Sequence, residues 1–116
     1  MSTIVFVFGS NLAGRHGRGS ALEAYLHYGA VRGQGVGRQG MSYAIPTKDE
    51  QLNVLSIGQI NSFVREFIIY ATKHPELRFE IVRIGCGLAG YEDSQIAPMF
   101  KDAPHNCQLP AGWRKP

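Results

Sequence analysis

The sequence has no long hydrophobic run and only two cysteines. No apolar stretch approaches the roughly 20 residues that a membrane span requires, so we expect no contact with a membrane. The N-terminal MSTIVFVFGS has neither a basic segment before its short apolar run nor a small-residue cleavage site after it, and it predicts a buried strand of a cytoplasmic protein. Cys86 and Cys107 lie far apart in the sequence, so free thiols are favoured over a disulfide.

Metal-ligand spacing is absent, and acidic residues are scarce in one part of the chain. The four histidines and two cysteines form no HxxxH or CxxC pattern, so we expect no metal site, and nothing indicates a cofactor.

Between Gly9 and Gly40 the one acidic residue is Glu23. Six basic residues share this stretch: Arg15, Arg18, Arg32, Arg38, His16 and His27. This local positive charge would attract the phosphates of a small ligand or of a nucleic acid. The alternative interpretation is a basic surface that is only solvated and binds nothing.

The length and the pattern of apolar residues predict one α/β domain over residues 1–116. A chain of 116 residues can bury one small core but is too short for two. Strands are predicted over residues 4–8, 41–45 and 79–84, and helices over residues 20–28, 57–74 and from about 94 onward. HNCQLPAGW, residues 105–113, adds an edge strand. This alternation predicts a three-layer α/β/α fold with a mixed central sheet.

Local signals set the predicted ends of these segments. Ser20 is the expected cap of the first helix, and Ser56 and Gln59 have the spacing of a capping box before the second. Pro46 is expected to end the second strand, because proline cannot donate to a sheet.

Two glycine-rich loops, residues 9–19 and 85–90, each follow a predicted strand and lead to a helix N-terminus. Free amides and the helix dipole favour anions there, and two such loops can hold a diphosphate from opposite sides. A P-loop is excluded, because Ser20 stands where that motif requires lysine. The GxGxxG match at residues 35–40 leads into the strand MSYAI instead of a helix, so we interpret it as accidental.

Three segments together resemble macrodomains, a family of ADP-ribose-binding domains. GSNLAGRHGRGSALEAYLHYGA, residues 9–30, is similar to the first macrodomain ligand loop, in which an asparagine ends a strand before a glycine run and a helix. IVRIGCGLAGYEDSQIAPMF, residues 81–100, resembles the second loop, where a glycine turn crosses the diphosphate and distal ribose. With SYAIPTKD, residues 42–49, between them, the resemblance spans residues 4–100. It implies a macrodomain-like fold that recognises ADP-ribose.

The likeness is closest to the branch that removes ADP-ribose from carboxylate side chains or DNA bases, and to compact phage-encoded macrodomain-like proteins. In that branch a lysine just after a middle strand is catalytic, and Lys48 in IPTK falls at that place. The resemblance implies that Asn11 faces the distal ribose, with a catalytic role through a bound water as the second candidate. The implied ligand contacts are Gly9, Ser10, Asn11, Gly17, Gly19, Ser20, Gly85, Cys86, Gly87, Leu88, Ala89, Gly90 and Tyr91.

Two departures separate the chain from this branch. Protein-directed members carry an aspartate directly after GCGL, where this chain has Ala89, whereas DNA-directed members lack that aspartate. The N-terminal strand with the acidic adenine contact is also missing, since Asn11 is only the eleventh residue. The first departure favours a DNA-directed substrate over a glutamyl-linked one, and the second leaves selectivity for adenine open.

Each candidate also has an ordinary structural interpretation. Asn11 can close an Asx-turn, Lys48 can be an exposed lysine, and Tyr91 can belong to the core. Asp49 can hold the Lys48 amine or shape a turn. Cys86 has no histidine at a recognisable spacing, so packing between glycines is favoured over a nucleophile.

Three functions remain as hypotheses. The leading one is ADP-ribose recognition with hydrolytic removal of ADP-ribose from a modified protein or DNA by Lys48. The second is a non-catalytic module that binds or sequesters nucleotides derived from ADP-ribose. The third is a nucleic-acid-binding protein that uses the basic glycine loops, although no basic stripe interleaved with aromatic residues supports it.

Overall fold

A computed structural model describes residues 3–114 of the chain. The strands are β1 (Ile4–Asn11), β2 (Gly37–Gln39), β3 (Ser42–Lys48), β4 (Arg78–Ile81) and β5 (Cys107–Gln108). The helices are α1 (Gly19–His27), α2 (Ile57–Lys73) and α3 (Asp93–Ile96), and a 3-10 turn at Ala97–Phe100 follows α3. No helix within residues 3–114 is long and apolar enough to cross a membrane.

The five strands form one mixed sheet in the order β2-β3-β1-β4-β5. β1 lies at the centre and pairs in parallel with β3 on one side and β4 on the other. β5 is parallel to β4, whereas β2 pairs with β3 in the antiparallel sense. The carboxyl ends of β1, β3 and β4 therefore lie side by side at one edge of the sheet.

Both faces of the sheet are covered by helices, because β1 is apolar on both sides. Val5 and Val7 belong to one core cluster together with the apolar stripe of α2, which consists of Ile60, Val64, Phe67 and Ala71. Phe6 and Phe8 point to the opposite face and pack with Ala21 and Ala24 of α1. The predicted α/β fold with helices on both faces of a mixed sheet is thus confirmed.

The predicted start of α2 is confirmed, whereas the predicted cap of α1 is not. Ser56 and Gln59 form the predicted capping box: each side chain accepts a hydrogen bond from the other residue's backbone N–H. The first helix differs, since α1 begins at Gly19 and its cap position is Arg18. Ser20 is therefore inside the helix and is not its cap.

Four strand predictions need correction. β1 continues beyond residue 8 to Asn11, since its pairing with β3 extends that far. β3 passes through Pro46 to Lys48, because β2 accompanies β3 only as far as Ala44, so the missing N–H breaks no hydrogen bond to β2. Residues 37–39, predicted as part of a loop, form β2 instead. β4 ends at Ile81, since the chain turns where the Ile84 N–H donates to the Val82 carbonyl at 2.7 Å.

Candidate anion-binding site

A cleft lies at the carboxyl ends of β1, β3 and β4. The chain leaves β1 toward α1 on one face of the sheet and leaves β3 toward α2 on the other, so the connections part between these two strands. Such points are where ligands bind in open α/β sheets. The cavity has a volume of about 450 Å³, within the range of roughly 300–1,000 Å³ that small-molecule sites occupy.

Nineteen residues line this cavity, and most come from the segments that the glycine loops predicted. They are Gly9, Ser10, Asn11, Arg15, Gly17, Arg18, Gly19, Ser20, Ala21, Thr47, Lys48, Leu52, Val82, Arg83, Ile84, Gly85, Gly87, Leu88 and Ala89. The predicted first loop, the predicted second loop and Lys48 are thus brought together around one space.

The lining is positively charged and contains no carboxylate. Its cations are Arg15, Arg18, Lys48 and Arg83. Arg83 is neutralised by an ion pair with Asp93 outside the lining, and its guanidinium also donates to the Ala111 carbonyl at 3.0 Å. The ion pairs found within residues 3–114 leave the other three cations without a carboxylate partner. The charge of the lining therefore favours an anion over a cation in the cleft.

The N-terminus of α1 adds to this positive potential. Residues 17–21, which carry the start of α1, line the cavity. No side chain caps the helix, and its first turn contains no acidic residue. The first amides of a helix have no partner within the helix, and together with the helix dipole they favour an anion at this end.

Asn11 and Lys48 are neighbours at the ends of adjacent strands. They are register partners in the β1–β3 pair, just after a local irregularity at Ser10. The Asn11 carboxamide is occupied on both sides: its oxygen accepts the Arg15 N–H and its nitrogen donates to the Arg15 carbonyl, each at 2.9 Å. Asn11 thus closes the first loop while lining the cleft.

Lys48 lines the cleft, and the carboxylate of the next residue, Asp49, is engaged in a turn. The Asp49 carboxylate accepts the N–H groups of Gln51 and Asn53, each at 2.9 Å. Asp49 therefore shapes the turn after β3, which is the structural one of its two predicted roles.

The first loop is fixed by contacts with residues 31–40. The Ser10 hydroxyl donates to the Gly35 carbonyl. His16 is 2% exposed, and its Nε2 lies 2.9 Å from the Val31 carbonyl oxygen and 3.2 Å from Oε1 of Gln39. His16 consequently braces the loop from inside and meets neither a phosphate nor solvent.

The second loop contributes only part of its predicted contacts. Gly85, Gly87, Leu88 and Ala89 line the cleft, whereas Cys86, Gly90 and Tyr91 lie outside the lining. The Tyr91 hydroxyl donates to the Leu55 carbonyl at 2.6 Å, and its ring packs against the core, which is the structural alternative for this residue. The Gly90 N–H donates to the Gly87 carbonyl at 3.0 Å and closes the turn.

Cys86 is not prepared as a nucleophile. Burial, followed by a hydrogen bond with Asp93, raises the pKa of its thiol to about 11. Its sulfur lies 3.6 Å from the Ile84 carbonyl oxygen. Because the thiolate is the reactive form, a raised pKa keeps this cysteine inert at neutral pH.

Six residues of the lining were not singled out from the sequence: Ala21, Thr47, Leu52, Val82, Arg83 and Ile84. Thr47, Val82 and Arg83 lie at the ends of β3 and β4, so the strand-end rule could have indicated them. Leu52 has no such signal, since its place depends on the turn that Asp49 holds.

Comparison of the chain with protein-family models, with curated protein sequences and with solved structures gives no match. Within residues 3–114, no group of three or more histidine, cysteine, aspartate or glutamate residues is arranged to hold a metal ion. The site must therefore be interpreted from its own chemistry.

Proposed function

We propose that the protein recognises ADP-ribose and removes it hydrolytically from a modified protein or DNA by means of Lys48. The observation that carries the proposal is the lining of the cleft: three cations that the ion pairs found within residues 3–114 leave without a carboxylate partner, the uncapped start of α1 and no carboxylate. The diphosphate of ADP-ribose carries two negative charges, which this lining complements.

The two glycine loops support a ligand longer than a single phosphate. The first loop and the start of α1 line the cleft together with Gly85, Gly87, Leu88 and Ala89 of the second loop. Gly17 and Gly87 have open space where a Cβ would stand, so a diphosphate can approach the backbone of both loops. The distal ribose would then extend toward Lys48 at the end of β3.

The proposed nucleophile is Lys48, which lines the cleft at the end of β3. Its amine would attack the anomeric carbon of the distal ribose while the bond to the modified macromolecule breaks and the leaving atom keeps the electron pair. Water then displaces the lysine from the anomeric carbon, and free ADP-ribose and the free amine result. Ala89 lines the cleft where the protein-directed branch has an aspartate, so this chain offers no acid there to protonate a poor leaving group.

One observation favours a second candidate function, a non-catalytic module for ADP-ribose-derived nucleotides. The lining has no carboxylate to act as acid or base, and the Asn11 carboxamide is engaged by Arg15. Such a module would need the same cleft but no attack by Lys48.

Titration calorimetry with ADP-ribose, ADP and AMP tests recognition. We expect ADP-ribose to bind more tightly than AMP, because the two loops address a diphosphate and a second ribose. Equal affinities for AMP and ADP-ribose would contradict the proposal. Binding of random oligonucleotides without any preference for ADP-ribose, and with a steep salt dependence, would identify a nucleic-acid-binding protein instead.

Release of ADP-ribose from an automodified protein and from an ADP-ribosylated DNA strand tests catalysis. We expect Lys48→Ala to abolish release, whereas Lys101→Ala, which changes an exposed lysine outside this cavity, should leave it intact. Binding of ADP-ribose by the wild type without release from either substrate would establish the non-catalytic module. Full activity in Lys48→Ala would contradict a catalytic role of Lys48, and Asn11 would be the next residue to substitute.

A further inference from the structure

The Asn11 side chain is joined to the backbone of Arg15 by a pair of hydrogen bonds. Its oxygen accepts the Arg15 N–H and its nitrogen donates to the Arg15 carbonyl, each at 2.9 Å. The donor end and the acceptor end of the carboxamide are therefore both engaged by one residue of the first loop. A single side chain thus holds residue 15 by both of its backbone groups.

The neighbours of Arg15 are also fixed to the rest of the molecule. The Gly14 N–H donates to the Asn11 carbonyl at 3.0 Å, which closes a turn immediately before Arg15. On the other side, His16 is buried, and its Nε2 lies 2.9 Å from the Val31 carbonyl oxygen. The backbone at Arg15 is consequently held by Asn11 directly and by anchored residues before and after it.

The Arg15 side chain, in contrast, is not used by the fold. Arg15 is exposed and lines the cleft. Within residues 3–114 its guanidinium has no hydrogen-bond or ion-pair partner. A guanidinium carries its N–H donors in a planar fork that matches the oxygens of a phosphate. A fixed backbone reduces the ordering that such a contact costs when the ligand binds.

Arg18, the other arginine of the lining without a carboxylate partner, has a less constrained backbone. It stands between Gly17 and Gly19, and both of these glycines have open space where a Cβ would lie. The Arg18 side chain does not cap α1, and its carbonyl accepts the Leu22 N–H at 3.1 Å. Of the two arginines, Arg15 is therefore the one that the fold holds in place for a ligand.

We infer that Arg15 is the side chain that binds the diphosphate, and that Asn11 acts on the ligand through Arg15, as its positioning residue. This inference rests on the proposed function, because a diphosphate must occupy the cleft. It gives Asn11 a role different from the contact with the distal ribose that the resemblance implies. Asn11 holds the Arg15 backbone, so the guanidinium loses less freedom when it binds a phosphate.

Calorimetric titration with inorganic pyrophosphate distinguishes these two roles of Asn11, because pyrophosphate has no ribose. We expect Arg15→Gln to weaken pyrophosphate binding by about tenfold or more, as expected for the loss of charge-assisted hydrogen bonds. Asn11→Ala should weaken it by roughly three- to tenfold, through the added cost of ordering Arg15. If Asn11 instead contacted the distal ribose, Asn11→Ala would weaken the binding of ADP-ribose and leave that of pyrophosphate unchanged.

The double variant Asn11→Ala/Arg15→Gln tests whether Asn11 acts through Arg15. We expect it to bind pyrophosphate with the affinity of Arg15→Gln alone, because Asn11 then has no guanidinium to position. Two independent contacts would give losses that multiply.

Two further variants separate loss of binding from loss of fold and from loss of charge. Asn11→Ser is the milder substitution, because a serine hydroxyl makes the same local bonds to the backbone more weakly. Its affinity should lie between those of the wild type and Asn11→Ala, and thermal unfolding checks each variant. Arg65→Gln removes one positive charge at an exposed position of α2 outside the cavity lining, so pyrophosphate affinity should not change.

Unchanged pyrophosphate affinity in Arg15→Gln would overturn the inference. Losses that multiply in the double variant, or an Asn11→Ala variant that weakens ADP-ribose binding alone, would do the same. A wild type that binds ADP-ribose but not pyrophosphate would also contradict it. In each of these cases, binding of ADP-ribose by the wild type leaves the proposed function in place. If the wild type binds neither ligand, the proposed function and this inference fail together.

Discussion

Glycine residues serve two separate purposes in this chain, and the printed sequence does not distinguish them. At Gly14 and Gly35 a Cβ would lie 2.3 Å from the Gly33 carbonyl carbon and 2.2 Å from the Asn11 oxygen, so these glycines let two loops cross in backbone contact. At Gly17 and Gly87 the same position is open. The first pair serves the fold, and the second pair leaves room at the cleft.

Gly35→Ala should destabilise the protein, because its methyl group would occupy the space of the Asn11 carbonyl. We expect a loss of roughly 1–3 kcal/mol in the free energy of unfolding, measured by urea denaturation. Gly17→Ala is the control, since Gly17 has no left-handed φ and no neighbour within 4 Å of its Cβ position. Equal stability of the two variants would show that the loop crossing tolerates a side chain.

Gly87→Val should weaken ADP-ribose binding by tenfold or more while the fold is retained. Gly87 does not have a left-handed φ, and nothing lies within 4 Å of the added Cβ, so the branched side chain would enter the cleft without backbone strain. Calorimetry gives the affinity, and thermal unfolding checks the fold. An unchanged dissociation constant would show that this part of the second loop does not face the ligand.

At the scale of elements, the sequence predicts what depends on neighbours within a few residues. The stripe of α2 and its capping box are local patterns, as is the apolar run of β1, and all three were predicted. β2 was missed because its three residues show no apolar alternation, and their strand depends on pairing with β3 after a tight turn at Gly40, whose φ is 59°. β2 therefore depends on its tertiary contact with β3 and not on its own sequence pattern.

In the candidate site, too, the features that depend on contacts between distant residues were not predicted from the sequence. Asn11 and Lys48 were both implied at the ligand by the resemblance, and the pairing of β1 with β3 brings them together as register partners. Tyr91 was expected at the ligand, but a hydrogen bond to Leu55, 36 residues away in sequence, directs it to the core. Leu52 had no signal, since its left-handed backbone results from the turn after Asp49. Contacts of this kind cannot be inferred from a local sequence pattern.

Ser56→Ala should shorten or loosen the first turn of α2. The Ser56 hydroxyl accepts the Gln59 N–H at 3.2 Å, and its loss leaves an amide of the first turn without this partner. We expect a decrease of about 1 kcal/mol in the free energy of unfolding, measured by chemical denaturation.

Ser62→Ala is the control for this capping prediction. The Ser62 hydroxyl donates to the Gly58 carbonyl within the same helix and caps nothing, and alanine has the higher helix propensity. Its stability should be unchanged or slightly increased. A Ser56→Ala variant that behaves like Ser62→Ala would show that the capping box adds nothing to the fold.

At the scale of the whole molecule, much of the positive charge is used to fix loops. Arg38 donates to the Tyr70 hydroxyl at 2.8 Å, Arg114 donates to the Cys107 carbonyl at 3.0 Å, and Arg83 pairs with Asp93. The net charge of +3 therefore says little about partners. The charge that matters for binding is local: the side chains of Arg15, Arg18 and Lys48 at the cleft.

Stability should fall at alkaline pH, because buried acids in the core hold their protons more tightly than they do in the unfolded chain. Burial raises the pKa of the Cys107 thiol to about 11 and that of the Tyr43 hydroxyl to about 12, and both residues are almost fully buried. Their ordinary values are 9.0 and 10.0. Above pH 9 the unfolded state therefore binds fewer protons than the folded state, and the free energy of unfolding decreases as pH rises. The stability that these groups contribute is complete below about pH 9 and is lost by about pH 12.

Urea denaturation at about pH 8 and about pH 10.5 measures this effect, for which we expect a decrease on the order of 1–3 kcal/mol. Tyr43→Phe and Cys107→Ala each remove one titrating group, so each should make the pH dependence shallower, whatever it does to stability at pH 8. Arg114 opposes the raised pKa of Cys107, whereas Glu66 and Tyr70 add to the raised pKa of Tyr43. A free energy of unfolding that is the same at both pH values in the wild type would mean that neither group is held away from water. The core of the sheet would then be more open at β3 and β5 than their buried side chains indicate.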